Sequence, residues 1–151
     1  MDTLRDIATI ISLILGASGL ALSIANYFRD KPKLLINLQW DMSSTDINNK
    51  DLFGVVSVAN VGRRPVFISH VAIVLPKGYP HKTLLLTETI YGKKLCEGDQ
   101  PERFLINQHG LSEYSKDWHK LYAVIYDPSG KGWKSNKVAK ENKPSWVGQN
   151  A

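Results

Sequence analysis

The sequence predicts a mainly β protein, in which one N-terminal transmembrane α-helix is followed by an antiparallel β-sandwich of about seven strands. Three observations carry this. Residues 7–28, IATIISLILGASGLALSIANYF, contain no charged side chain, although the 151-residue chain has a mean hydropathy of −0.20 and a net charge of +5. Beyond residue 32 the apolar residues fall in short runs with a period of two, and Gly, Pro, Asp and Asn turns separate those runs.

A helix over 7–28 would be about 33 Å long at 1.5 Å per residue, enough to cross a hydrocarbon layer of roughly 30 Å. A cleavable signal peptide is the rival reading. It needs a basic head and a shorter apolar stretch, whereas Asp2, Arg5 and Asp6 make residues 1–6 net acidic. Tyr27 and Phe28 suit the headgroup layer, and Arg29, Lys31 and Lys33 follow them, so the positive-inside rule puts residues 29–151 in the cytoplasm and the N-terminus outside an inner membrane. Cys96, the lone cysteine, demands no oxidising compartment. Ser12 and Gly16, Gly19 and Ser23, and Ala17, Ala21 and Ala25 recur at four-residue spacing. Such small faces let helices pack closely in lipid, so a homo-oligomer is expected, with the Asn26 amide seeking a partner if it faces a second helix.

Strands are read at 33–40, Phe53–Val61, Val66–Leu75, Thr83–Ile90, Arg103–Ile106, Leu121–Tyr126 and Gly132–Lys137, with a short helix around 111–118. The second and third, the most apolar, read as a central pair joined by the Gly62–Pro65 turn. The expected interior is Trp40, Phe53, Val56, Val58, Phe67, Val71, Ile73, Leu121, Val124 and Ile125. The organisation is then an outer head at 1–6, the span at 7–28, a basic linker at 29–32, the sandwich at 33–138 and a flexible basic tail at 139–151.

The stretch 58–68 (VANVGRRPVFI), with Leu95–Asp99 and Tyr126–Trp133, resembles small uncharacterised bacterial and phage-borne single-pass membrane proteins. The resemblance implies an immunoglobulin-like sandwich over roughly 52–137, and because its motifs are turns and strand ends it carries no activity.

No catalytic or cofactor signature is present: there is no GxSxG, P-loop, GxGxxG or HExxH, and His70, His81, His109 and His119 fall at no metal-ligand spacing. The sequence therefore reads as non-enzymatic and cofactor-free. Basic residues are what remains. With strands antiparallel in order, Arg63, Arg64, Lys93, Lys94 and Lys131 collect at the end of the sandwich that carries Arg29, Lys31 and Lys33, with Tyr91 and Trp133 beside them for stacking. That end can touch anionic lipid headgroups, or can bind an anionic small molecule through bidentate arginine; a solvated surface is the plain alternative. Long nucleic acid is disfavoured, because no recognised motif accompanies the charge. The expected function is a membrane-anchored interaction or adaptor module. The alternative is an oligomeric effector of the antiviral-defence type that perturbs the membrane when a ligand such as a cyclic nucleotide binds.

Overall fold

A computed structural model describes residues 2–43, 51–86 and 92–148. Helix α1 spans Asp2–Arg29, and the stretch Thr3–Arg29 is long and apolar enough to cross a membrane. Three of its hydroxyls bond back to the helix: Thr9 donates to the Arg5 carbonyl at 2.8 Å, Ser12 to Ala8 at 2.8 Å and Ser18 to Leu15 at 2.9 Å. A lipid-facing hydroxyl has no water to turn to, so this back-bonding lets the serines sit in an apolar span.

Nine strands follow among the described residues: β1 (Leu34–Ser43), β2 (Leu52–Asn60), β3 (Val66–Ile68), β4 (His70–Val74), β5 (Thr83–Leu85), β6 (Lys93–Leu95), β7 (Glu102–Asn107), β8 (Tyr122–Tyr126) and β9 (Gly132–Lys134). Between β7 and β8, Gln108–Lys120 winds in 3₁₀ turns broken at Asp117, which covers the helix expected at 111–118. The strands form three antiparallel sheets, β1-β2-β7, β3-β6 and β5-β4-β8-β9.

One core joins them. Ile36 and Leu38 face Val58 and Val56 across the β1–β2 pair, and they meet Ile68, Leu95, Val71, Ile73, Ala123 and Ile125 from the other two sheets. Leu111, Tyr114 and Trp118 of the 3₁₀ segment close one side. Burial alternates along β1 and β3 as the pleat demands, whereas β2, β4 and β8 each bury three consecutive residues and are covered on both faces there.

Several sequence expectations need correction. The second and third predicted strands do not pair. Strand β2 lies between β1 and β7, while the third run breaks at Ser69 into β3, which pairs with β6, and β4, which pairs with β5 and β8. The cause is Asn60, buried at the end of β2: its side-chain amide donates to the carbonyls of Arg64 (2.8 Å) and Leu95 (3.0 Å), and its oxygen accepts from the Gly62 N–H (2.9 Å). These bonds carry the chain across to another sheet instead of closing a hairpin.

Phe67 is not a core residue. Val66 and Ile68 point inward, so a period of two turns Phe67 out, and it is 52% exposed. Phe53 is half-buried, and Val124 is buried outside the common core, on the opposite face of its sheet. The expected strand at 83–90 is seen as β5 alone, residues 87–91 lying outside the described part, and the last strand ends at Lys134.

The expected tail at 139–151 is described as far as residue 148, and that part is packed on the domain. Pro144 and Trp146 are buried, and Trp146 meets Trp40 edge-to-face with ring centroids 5.6 Å apart. The Asp41 carboxylate accepts from both the backbone N–H and the hydroxyl of Ser145, each at 2.7 Å. Asp41 takes a left-handed backbone (φ 58°) where the β1–β2 register slips, which turns Trp40 onto Gly54; a Cβ there would fall 2.6 Å from the indole.

Candidate functional site

The clearest gathering of functional side chains is where the helix meets the domain. Asp30 N–H still bonds the Asn26 carbonyl at 2.9 Å, so helical geometry carries into the linker. The Asn26 side-chain oxygen accepts from Arg29 at 3.1 Å, giving this amide a partner within its own helix. Tyr27 and Phe28 pack edge-to-face, and the Lys31 ammonium lies 5.0 and 4.6 Å from their ring centroids. A cation over two aromatic faces at the end of an apolar helix suits a headgroup layer.

The turn after β2 is seated on this linker. The Val61 and Gly62 N–H groups donate to the Lys33 carbonyl at 2.9 and 3.2 Å. Gly62 is required by proximity: a Cβ would fall 2.6 Å from both the Lys31 oxygen and the Lys33 nitrogen. The Arg63 guanidinium then stands 4.0 Å from the Asp30 carboxylate, with both side chains nearly half exposed, while Arg64 is exposed. An ion pair that long and wet contributes little, and it leaves Arg63 available to another anion. Arg29, Lys31, Lys33, Arg63 and Arg64 therefore share one end of the domain.

The other predicted basic residues are placed differently. Lys93 is paired with Glu102, so its charge is locally offset. Lys94 lies opposite Phe67 in the β3–β6 register, with its ammonium 5.9 Å from that ring. Lys131 sits in the β8–β9 turn over the Trp133 ring at 4.8 Å. Trp133 is half-buried against the core, so one of its faces is already used, and Tyr91 lies outside the described residues. Asp127 builds the Lys131 turn, accepting from the Ser129 hydroxyl (2.6 Å) and from the Ser129 and Lys131 N–H groups (2.9 Å each). These bonds, the Ser129 hydroxyl foremost, hold its carboxyl below the usual aspartate range.

The helix faces that carry Ser12, Gly16, Ala17, Gly19, Ala21 and Ala25 are open, and a Cβ built on Gly16 or Gly19 would meet nothing within 4 Å. Among the described residues no three His, Cys, Asp or Glu side chains gather where a metal could be held. His70 stacks on Tyr126 with centroids 4.7 Å apart, and His119 lies edge-on to Trp118.

Sequence reasoning missed a second concave surface, a groove of about 660 Å³ on the outer face of β4 and β8. The alternation of Tyr122, Val124 and Tyr126 marks this face in the sequence. That the 75–82 connection folds along it is a tertiary fact with no local signal. No known protein family matches the chain, and no curated protein shows significant sequence similarity to it.

Proposed function

We propose that this protein is a non-enzymatic, single-pass membrane protein whose cytoplasmic β domain, an immunoglobulin-like sandwich, is held with its basic end against anionic headgroups and serves as an interaction module. One observation carries the reading: the 61–65 turn is hydrogen-bonded to the linker that leaves the span, so Arg63 and Arg64 sit level with Lys31 and Lys33. Cations near an anionic leaflet gain up to about 1 kcal/mol each, and this attraction fades over a Debye length of roughly 8–10 Å. Only charges fastened near the end of the span gain it fully. The small faces of α1 supply self-association in the same reading, and the cations after the span support an N-terminus outside.

Cys96 gives the test. It follows β6 directly, and the preceding Leu95 carbonyl is bonded to Asn60, so a dye on this single thiol reports from the basic end. Energy transfer from that dye to a headgroup-labelled lipid should rise in nanodiscs containing phosphatidylglycerol relative to phosphatidylcholine alone, and added salt should reverse the rise. Removing both arginines (Arg63→Ala, Arg64→Ala) takes away about 2 kcal/mol, or roughly thirtyfold in the docked population. Transfer that ignores lipid charge defeats the headgroup reading. In intact cells a membrane-impermeant maleimide should leave Cys96 unlabelled until the cells are opened; labelling beforehand refutes the orientation.

A further inference from the structure

Strand β1 is an outer strand of the β1-β2-β7 sheet, and among the described residues no strand or backbone hydrogen bond occupies its other side. At ten residues it is also the longest strand described. The Val61 N–H donates to the Lys33 carbonyl, and this bond sets the parity of the β1–β2 ladder. Hydrogen-bonded pairs alternate in an antiparallel ladder, so Leu35, Asn37 and Gln39 turn their backbone groups to β2. Ile36 and Leu38 then turn theirs to the open edge. Their side chains are in the core, but a chain that joins an edge pairs through the backbone alone. Outer strands are commonly guarded by shortness, a charge or a proline, because an open ladder invites another chain. Here β5 and β9 are three residues long and β7 opens with Glu102 and Arg103, whereas β1 has neither proline nor charge before Asp41.

A cleft of about 520 Å³ lies along the far half of this edge. Six consecutive residues, 37–42, form one wall, and residues of both pleat faces can share a cleft only along the edge of their strand. They extend for about 20 Å at 3.3 Å per residue, and an added strand would lie about 4.8 Å from β1 in the open space beside them. The opposite wall is the segment after β9, from which exposed Lys137 and Lys143 line the cleft while Glu141 does not. Asp41 is the one acid in the lining, and both of its carboxylate oxygens are engaged by Ser145. The charge left to meet an incoming chain is therefore positive, which favours acidic side chains on that chain.

We propose that the open edge of β1 receives an extended, acidic segment of a partner protein as an added strand, its backbone pairing with Ile36 and Leu38 and its carboxylates reaching Lys137 and Lys143. The proposal rests on the reading of the domain as an interaction module and names where it interacts; it uses neither Arg63 nor Arg64. Since the pairing is through backbone, the probe is a generic one, an acetylated and amidated eight-residue peptide of alternating valine and glutamate. Full-length protein in phosphatidylcholine nanodiscs should bind it saturably in titration calorimetry. Lys137→Gln with Lys143→Gln should weaken binding about tenfold while leaving the thermal unfolding midpoint unchanged, and lysine in place of glutamate in the peptide should weaken it by at least as much. Arg63→Ala with Arg64→Ala should leave peptide affinity intact, so headgroup docking and peptide binding fail separately. Hydrogen exchange resolved to single amides should show Ile36 and Leu38 protected when the peptide binds, with Leu35 and Asn37, already bonded to β2, unchanged. Absence of saturable binding overturns the proposal, and so does binding that leaves the Ile36 and Leu38 amides unprotected. Protection of those two amides before any peptide is added overturns it as well, because a second copy or the chain itself would then cover the edge.

Discussion

Removing the Trp146 indole tests how the domain is closed. The ring is 6% exposed, belongs to the common core and meets Trp40 at 5.6 Å, while Trp40 in turn covers Gly54. Truncating a buried Trp to Ala costs about 3–5 kcal/mol, because the cavity collapses only in part. For a domain of about 115 residues each kcal/mol is worth roughly 4 °C, so Trp146→Ala should lower the unfolding midpoint by about 10–20 °C. The contribution is packing and not hydrogen bonding, since neither the Trp40 nor the Trp146 indole N–H has an acceptor among the described residues. Trp146→Phe should therefore be far milder, keeping most of the ring volume while relieving a buried donor whose desolvation costs about 1–3 kcal/mol. Phe67→Ala, at a 52% exposed position, should cost less than about 1 kcal/mol. Near-ultraviolet circular dichroism of the full-length protein in detergent reads all three, because all four tryptophans lie beyond the span. If Trp146→Ala melts within about 2 °C of wild type, the tail is not part of the core and the latch at Asp41 is incidental.

Two further predictions concern the span and acid stability. Gly16→Leu or Ala21→Leu, placed on the open small faces, should weaken crosslinked oligomers of the full-length protein while leaving the melting of the domain unchanged; unaltered oligomer bands in both variants, or a monomeric wild type, would refute helix-mediated assembly. Asp127, through the Ser129 hydroxyl, and Asp117, through the Lys120 ammonium at 2.7 Å, are both held below the normal aspartate value of 3.8 in the folded state. The stability they contribute is present above that value and is lost as pH falls through their lowered folded values. Wild-type protein should therefore lose more of its unfolding midpoint between about pH 5 and pH 2.5 than Asp117→Asn with Asp127→Asn does, and equal acid sensitivity would show that these carboxylates do not matter to folding.

What could be read in the chain follows from how local each signal is. The span, β1, β2 and β8 are written in their own residues, as an uncharged apolar run or as alternation between faces. Strand β6 is not: Lys93-Lys94-Leu95 has one apolar residue and becomes a strand because β3 pairs with it and Asn60 holds the Leu95 carbonyl. Phe67 shows the reverse error, in which a large apolar residue looks internal until the burial of Val66 and Ile68 sets the parity of the strand. Pro144 and Gly148 signal irregular backbone, and irregular backbone still packs where Trp146 has a core to enter.

The two candidate surfaces differ in the same way. Arg63 and Arg64 are adjacent in the turn that follows a strand paired with the first strand after the span, so their place beside Lys31 and Lys33 follows from one antiparallel pairing. The groove needs three separate segments: β8 for the tyrosines, β9 for Lys134, and the 75–82 connection for Lys77 and Lys82. No single stretch of chain announces such a site. In the sequence the lysines read as scattered surface charge, and they line one groove only because register sets Lys134 against Val124 and Val74 against Tyr122. In the proposed reading, a charge fixed by one local pairing faces the membrane because the helix ends beside it.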